Sequence, residues 1–262
     1  MSMMNATPMT PQPRRKRLRV SLAAMMFAVL IVGGGLGWIA RRARVQREAV
    51  AAILNVGGSV TYDWESNDSK PRGPRWLRRM IGPDYFDTVV FVSADTIQAD
   101  DVLMVQIGRL TDVRALYLQG VSVTDAGLAH LANLRDLRTM HLRSSRITGS
   151  GLRSLVDLPK FHNLLIYATP ITDGNLAHVE RLSKLTNLGL KKTHISDDGI
   201  QHLARMGSLR KLWLWDSQIG DDGLRRLERL DQPMTVFVGR SRVTPAGIEE
   251  MKTRAPNMNI IP

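Results

Sequence analysis

The sequence predicts an α/β solenoid, in which short parallel strands line one face and short helices line the other. Two columns of residues that recur every 24 positions carry this prediction. The apolar column is Leu118, Leu142, Ile166, Leu190, Leu214 and Val238. The second column is Gly127, Gly151, Asn175, Gly199, Gly223 and Gly247. One unit of this length cannot bury its own apolar side chains, so we expect stacked units to share a single core.

Each unit passes from strand periodicity to helix periodicity. In Leu116-Tyr117-Leu118 the leucines alternate with a polar aromatic residue, which predicts a short strand. Leu128 and Leu131 are three positions apart, as on one face of a helix. An acid such as Asp125 is expected in the first helical turn, where the helix dipole favours an anion. The residues expected to cap these helices are Thr124, Thr148, Thr172, Ser196 and Thr244.

The unit L-x-x-L-x-L-x-x-[TS]-x-I-[TS]-D-x-G-L-x-x-L resembles the leucine-rich-repeat family, in its short I-T-D-x-G-L type that is also seen in F-box-associated repeats. The resemblance covers residues 110–262. It implies a curved solenoid of about six units, with parallel strands on the concave face and helices on the convex face.

Three positions depart from the unit, and two further strands are expected at its ends. Gly149 and Pro245 stand where the Asp is expected, and Asn175 stands where the Gly is expected. Residues 258–261 predict a final strand, and residues 90–92 predict a strand two positions out of register with the others.

Residues 41–85 resemble a short segment that precedes such repeats in bacterial membrane-anchored proteins, in REAVAAILNVGGSVTYDWE and GPRWLRRMIG. The pattern predicts a helix that ends at Gly57-Gly58, followed by a strand with Val60, Tyr62 and Trp64 alternating. We expect this segment to form a small α/β cap over the open end of the solenoid.

The cap also contains a basic and aromatic cluster, which is Arg72, Arg75, Trp76, Arg78 and Arg79. The favoured prediction is a solvated helix that buries Trp76, Leu77 and Met80 in the cap. The alternative is a surface that touches anionic lipid.

The N-terminal region predicts a membrane anchor. Residues 20–40 contain no charged residue and would span about 31 Å as a helix. A cleaved signal peptide is the alternative. Basic residues flank both sides, five before and four after, so a solenoid outside the cytoplasm is only slightly favoured. Gly33 and Gly37 have the small-xxx-small spacing that packs two such helices together, so a homodimer is also possible.

Four segments are therefore expected: a basic tail (1–19), a transmembrane helix (20–40), the cap (41–85) and the leucine-rich-repeat domain (86–262). The net charge of +12 does not indicate a nucleic-acid partner, because residues 1–47 carry nine basic and no acidic residues. Residues 48–262 carry the remaining 27 basic residues against all 24 acids.

The sequence contains no enzyme motif, so we expect neither catalysis nor a cofactor. The absence of cysteine excludes disulfides, thiol nucleophiles and Cys-ligated metals. The histidines that share a column, His130, His178 and His202, are expected to be solvated rather than metal ligands. A column of hydroxyls is expected to satisfy the backbone of the turns, and its members are Ser145, Thr169, Thr193, Ser217 and Ser241.

The concave face is the predicted binding site, because aromatic and basic side chains occupy the strand positions that alternate with the leucines. The candidate contacts are Tyr117, His141, Arg143, Tyr167, Lys191, Trp213, Trp215 and Phe237. The sequence thus predicts a single-pass protein of the cell membrane that binds another protein through this face. A polysaccharide or cell-wall binding module and an F-box-like substrate receptor are the alternatives.

Overall fold

A computed structural model describes residues 22–66 and 69–262. The chain divides into two units between Arg41 and Arg42, and helix α1 (Leu22–Asn55) includes both residues. The predicted basic tail and the first two residues of the predicted span, 20 and 21, lie outside the described residues. Within the part of the chain that is described, no helix was found to be both long and apolar enough to cross a membrane.

The strands form one sheet that follows the order of the chain. They are β1 (Ser59–Tyr62), β2 (Val89–Ala94), β3 (Ala115–Gln119), β4 (Thr139–Arg143), β5 (Asn163–Tyr167), β6 (Asn187–Lys191), β7 (Lys211–Trp213), β8 (Met234–Phe237) and β9 (Met258–Ile261). β1 is antiparallel to β2, and every later pair is parallel with partners 24 residues apart. The predicted shift at residues 90–92 is wrong, because Val92 and Ala94 pair with Leu116 and Leu118 in the common register.

The helical segments of the repeat units stack against one another along the chain, as the strands do. After α1 they are α2 (Asp63–Ser66), α3 (Arg75–Ile81), α4 (Asp101–Ile107), α5 (Asp125–Leu128), α6 (Leu176–Glu180), α7 (Ile200–Leu203), α8 (Asp221–Arg226) and α9 (Pro245–Arg254). Short 3-10 turns replace or extend them at Ala129–Leu131, Ser150–Leu155, Asp173–Asn175 and Leu227–Arg229. Most predicted helices are therefore present as one or two turns. Thr124 and Thr244 cap α5 and α9 as expected, through their side-chain oxygens.

A single hydrophobic core lies between the strands and the helical turns. Leu118 and Leu142 from the strands and Leu128 and Leu131 from the turns are almost fully buried. The same core cluster extends from Ala49 to Ile260. Truncation of one such leucine to alanine typically destabilises a protein by about 2–5 kcal/mol, so the repeated leucines account for a large part of the stability.

The cap joins this core at the β2 end of the sheet. Ala49 and Ile53 of α1 are fully buried in the common cluster. α1 ends where expected, because Gly57 has a φ of +79° and its amide donates to the Leu54 carbonyl. β1 is shorter than predicted: Trp64 lies in α2, after Asp63 turns the chain by exchanging hydrogen bonds with Thr88.

Aspartates at one position of the unit connect each unit to the next. Asp125 accepts hydrogen bonds from the Thr148 amide (3.0 Å) and hydroxyl (2.6 Å), and from the amides of Gly149 (3.0 Å) and Gly151 (2.7 Å). Asp101, Asp173, Asp197 and Asp221 make the same kind of contact, and we call the five residues the aspartate ladder. Burial raises the pKa of Asp125, but these hydrogen bonds outweigh it and hold the pKa below its ordinary value. The sequence predicted only the helix-dipole role of these acids.

The aspartate ladder explains the glycine column. A Cβ atom added to Gly223 would lie 2.3 Å from Oδ1 of Asp197, and one added to Gly127 would lie 2.3 Å from Oδ1 of Asp101. At Gly151 the obstacle is the backbone, since a Cβ atom would lie 2.5 Å from the Asp125 carbonyl oxygen. The glycine of one unit therefore provides the space that the aspartate of the preceding unit fills.

Two of the departures from the unit belong to one exchange. Gly149 has no carboxylate to offer, and Asn175 of the next unit accepts hydrogen bonds from the Thr172 amide (3.2 Å) and hydroxyl (2.8 Å) instead. A Cβ atom on Gly149 would lie 3.0 Å from the Asn175 Cβ atom. Where the aspartate is absent, the glycine opposite it is replaced by an asparagine that accepts the same hydrogen bonds from the threonine.

A left-handed residue follows the strand in each unit. The φ values are +63° at Gly120, +49° at Ser144, +50° at Ala168, +56° at Lys192, +53° at Asp216 and +56° at Arg240. Five of these residues carry a side chain, which costs about 1 kcal/mol or more per residue in this conformation. The turns are thus held in place by the sheet and the core rather than by local preference.

Candidate binding face

Two rows of side chains point away from the core along the sheet, and we call them the exposed sheet face. In the first row the pairing places Tyr117 beside His141, then Leu165, Gly189, Trp213 and Phe237. In the second row it places Gln119 beside Arg143, then Tyr167 and Lys191. Trp215 extends the second row, because its carbonyl oxygen accepts a hydrogen bond from the Lys192 amide (3.0 Å). The structure therefore brings all eight predicted site residues onto one surface.

A groove of about 580 Å³ runs along this face. Seven of the eight predicted residues line it, and Phe237 lies behind Trp213 at its edge. Its volume falls within the range of small-molecule and peptide-side-chain sites, about 300–1,000 Å³.

One aromatic cluster lies at the end of the groove nearest the cap. The Tyr117 and His141 rings stack with centroids 3.9 Å apart and planes 9° from parallel. Phe91 packs edge-on against Tyr117 at 4.9 Å. Burial lowers the pKa of His141 below its ordinary value, so the stacked imidazole is neutral at pH 7. Phe91 was not among the predicted contacts; its strand partner is Ala115, and its ring reaches diagonally to Tyr117.

The second aromatic cluster lies at the other end. Trp213 and Phe237 stack at 5.3 Å with planes 7° apart, and Trp215 meets Phe237 edge-on at 6.1 Å. These rings partly pack on each other, yet Trp215 keeps 37% of its surface exposed. The cluster thus combines a rigid base with an accessible indole.

Two cations lie over aromatic rings between these clusters. The Arg143 guanidinium carbon is 4.6 Å from the Tyr167 centroid, and Lys191 Nζ is 5.3 Å from the Tyr167 centroid and 5.0 Å from that of Trp215. Such contacts contribute about 0.5–1 kcal/mol at exposed sites. Within the described residues, neither cation forms an ion pair, so both charges remain available to a partner.

The groove is lined at its centre by Leu165 and Gly189. Gly189 has no side chain, and a Cβ atom there would lie 2.8 Å from Cδ2 of Leu165. Leu165 therefore occupies the space that a side chain at position 189 would need.

The strand register identifies the class of protein. Every parallel strand repeats after 24 residues, and the leucines of all units enter one core. The chain has the leucine-rich-repeat fold.

Comparisons with other proteins add little to this assignment. No protein-family model matches the sequence, and no curated protein matches it. Among solved structures, this chain is similar to internalin C2 of Listeria monocytogenes, with 19% identity, a TM-score of 0.47 and coverage of 66% of this chain and 80% of that one. It is also similar to the internalin InlF of the same species, with 21% identity, a TM-score of 0.33 and coverage of 60% and 56%. At these values the likeness gives no information about a ligand.

The other candidate residues of the leucine-rich-repeat units have structural contacts. His202 Nδ1 lies 2.7 Å from Glu180 Oε2, and this hydrogen bond lowers the pKa of Glu180. No group of three or more metal-ligating side chains occurs among the described residues. In the hydroxyl column, Thr193, Ser217 and Ser241 donate to carbonyl oxygens three residues earlier, as predicted. The buried hydroxyls of Ser145 and Thr169 have no hydrogen-bond partner among the described atoms.

Proposed function

We propose that this protein is a membrane-anchored, non-catalytic module that binds another protein through its exposed sheet face. The observation that carries the proposal is the groove, where two aromatic clusters and two cations without ion pairs lie on one continuous surface. Aromatic residues and arginine are enriched at the energetic centres of protein interfaces.

The charges of the face indicate the chemistry of the partner. Arg143 and Lys191 are the charged residues that line the groove. A partner segment that fits this site offers apolar side chains to Tyr117 and Trp215, and carboxylates to the two cations.

Site-directed photo-crosslinking tests this proposal, because the chain has no cysteine of its own. A single cysteine replaces exposed Gln119 in the groove, and a matched one replaces exposed Gln201 on α7. Both carry the same benzophenone label in membranes of the native host. We expect a discrete protein adduct from position 119 that Trp215→Ala removes, and none from position 201. Equal adducts from both positions, or an adduct that survives Trp215→Ala, would overturn the proposal.

Polysaccharide binding is the second candidate function. It is favoured by the accessible Trp215 indole next to the stacked Trp213 and Phe237 rings, since flat aromatic surfaces also stack on sugar rings. In that case, soluble cell-wall oligosaccharides should change the tryptophan fluorescence of the wild type but not of Trp215→Ala, and position 119 should give no protein adduct.

Membrane anchoring through residues 20–40 forms part of the same proposal. The support is α1, where large apolar side chains are exposed on successive turns of one helix. They are Met26, Val29, Leu30, Ile31, Val32, Leu36, Trp38 and Ile39. An exposed helix that is apolar on all sides is typical of a segment that lies in lipid.

The proposed location of the repeat domain is outside the cytoplasm. A cysteine at exposed Asp231 should react with a membrane-impermeant maleimide on intact cells, whereas a cysteine at Ser2 should react only after lysis. Labelling of position 2 alone would invert the topology, and labelling of neither before lysis would place both ends inside.

Self-association through Gly33 and Gly37 is a further part of this proposal. Nothing lies within 4 Å of the Cβ position at either glycine in the single chain, so this face of α1 has room for a second helix. Gly33→Leu/Gly37→Leu should weaken association in a membrane reporter assay. Unchanged association would exclude this interface.

A further inference from the structure

Helix α3 of the cap exposes two large apolar side chains. Trp76 is 63% exposed and Met80 is 74% exposed, and the two are four residues apart on one side of the helix. This corrects the expectation that both are buried in the cap. Leu77 alone of the three residues expected to be buried is partly covered.

The opposite side of α3 explains why these residues face outward. Arg78 forms an ion pair with Asp87, which is 1% exposed, and it also donates to the Arg72 carbonyl oxygen (3.0 Å). The Arg72 amide in turn donates to Asp87 (3.3 Å). Turning Trp76 inward would break this buried ion pair, and an uncompensated buried charge is strongly destabilising. The exposure of Trp76 and Met80 is therefore fixed by the cap itself.

The exposed side of α3 is also strongly basic. Residues 69–86 contain five basic residues and one acidic residue. Arg75, Arg79 and Lys70 are exposed, and none of them pairs with a described residue. Together with Arg78 they line a pocket of about 610 Å³ beside the helix. The pocket thus presents several cations toward one space.

We propose that α3 and this pocket form a contact surface for anionic phospholipid. Tryptophan and methionine suit the boundary between headgroups and acyl chains, while arginine and lysine suit lipid phosphates. Cations without partners beside exposed apolar residues match an anionic bilayer in both charge and polarity. This inference deepens the proposed membrane anchoring, because it adds a second contact made by the cap of the repeat domain.

A second pair of exposed apolar side chains lies near carboxylates instead of cations, so it is not expected to contact anionic lipid. Ile97 (77% exposed) lies in the turn before α4 and Val102 (69% exposed) in its first turn, and Asp95 and Asp100 are close to them in the sequence. These carboxylates would be repelled by an anionic bilayer. Val102 therefore provides a matched control on the same domain.

The test uses the full-length chain with one cysteine that carries an environment-sensitive fluorophore, at Met80 or at Val102. Each protein is mixed with vesicles of phosphatidylcholine alone, or of phosphatidylcholine and phosphatidylglycerol in equal amounts, that contain a lipid-borne quencher. We expect the label at position 80 to be quenched in the anionic vesicles and to be released by salt. The label at position 102 should stay in water in both. Arg75→Gln/Arg79→Gln should weaken the contact by about fivefold for each arginine removed, and Trp76→Ser should weaken it without removing charge.

Flotation of the same samples separates this inference from the anchor. If the chain floats with both kinds of vesicle but position 80 is never quenched, the anchor stands and the α3 surface is wrong. If the chain floats only with anionic vesicles and position 80 is quenched, the α3 surface stands and the anchor is wrong. Equal quenching at positions 80 and 102, or no flotation at all, also overturns the inference.

Discussion

The exposed sheet face and the aspartate ladder share the 24-residue period but differ in what recurs. In the ladder, the same carboxylate contact returns in almost every unit, and its internal gap at Gly149 is filled by Asn175. On the exposed face, a single row changes from Tyr117 through Gly189 to Trp213. Positions where the contact is constant hold the units together. Positions where only the spacing is constant are free to differ, and these are where a binding surface can develop.

The largest effect is expected where the backbone, rather than a side chain, blocks the position of an added Cβ atom. Gly151→Ala places a Cβ atom 2.5 Å from the Asp125 carbonyl oxygen, so the backbone of two units must separate. We expect a loss of about 3 kcal/mol in the free energy of unfolding, measured by urea denaturation. The matched control is Gly174→Ala in the next unit, where nothing lies within 4 Å of the Cβ position. Equal effects of the two substitutions would refute the proposed packing.

Loss of a ladder carboxylate should be nearly as costly. Asp125→Ala leaves the amides of Thr148, Gly149 and Gly151 without their acceptor, and we expect a loss of about 2–3 kcal/mol. Urea denaturation at neutral pH measures it.

Acidification provides a check on the same residue. The pKa of Asp125 in the folded state lies below its ordinary value. Its contribution to the free energy of unfolding is therefore fully present above the ordinary pKa, and it is lost as the pH falls through the folded-state pKa. The fall in stability between neutral and acidic pH should be smaller in Asp125→Asn than in the wild type. An unchanged pH profile would show that the carboxylate is not stabilised in the folded state.

The exchange of Gly149 and Asn175 can be tested by a double-mutant cycle. Gly149→Asp alone places a side chain at a φ of +114° and against Asn175, and Asn175→Gly alone removes the acceptor for Thr172. The double variant restores the usual pair, so we expect it to be more stable than the sum of the single effects by about 1–2 kcal/mol. Additive effects would mean that the two departures are independent.

The left-handed turns should show a smaller effect of opposite sign. Ala168→Gly relieves a φ of +50°, and we expect a gain of about 0.5–1 kcal/mol in thermal or urea unfolding. Gly120→Ala, at the equivalent position of an earlier unit, should cost a similar amount. A loss of stability in Ala168→Gly would indicate that the Ala168 side chain makes a favourable contact.

The smallest effect on folding is expected on the exposed sheet face. Trp215→Ala should change the free energy of unfolding by no more than about 1 kcal/mol, since its indole is partly exposed and its contacts are with Phe237 and Lys191. Circular dichroism during urea unfolding measures this change. A loss comparable to that of Asp125→Ala would place Trp215 among the structural residues and weaken its use as a binding contact.

Most of the repeat domain was predictable from sequence because its contacts recur. The columns of leucine and glycine established the strand register, and the same spacing placed Trp213 and Lys191 on one face of the sheet. β2 was misplaced because Val92 and Ala94 are smaller than the leucines they align with, whereas Val90 and Phe91 resemble a strand core. The aspartate column carries the correct register for β2, since Asp101 lies 24 residues before Asp125.

The cap was less predictable because its contacts do not recur. Trp76 and Met80 have the spacing of a buried helix face, but the single ion pair between Arg78 and Asp87 decides which side of α3 is covered. No periodic signal indicates an ion pair between two such residues. The role of the aspartate ladder was missed because its hydrogen bonds join residues of two successive units, whereas the pattern was interpreted within single units. The joint departure of Gly149 and Asn175 from the repeat was the sign of this link in the sequence.

The aspartate ladder has a consequence for how such a chain can change in length. Deletion of residues 198–221 would bring Asp197 opposite Gly247, which keeps an aspartate opposite a glycine, and the solenoid would lose one unit, consisting of α7 and β7. Deletion of residues 150–173 would bring Asp125 opposite Asn175, which would then take the position of Gly151. At that position a Cβ atom lies 2.5 Å from the Asp125 carbonyl oxygen, so only glycine fits. The two excisions remove the same number of residues. Only the first excision leaves an aspartate opposite a glycine at the new junction. Units are therefore interchangeable only where each aspartate still faces a glycine.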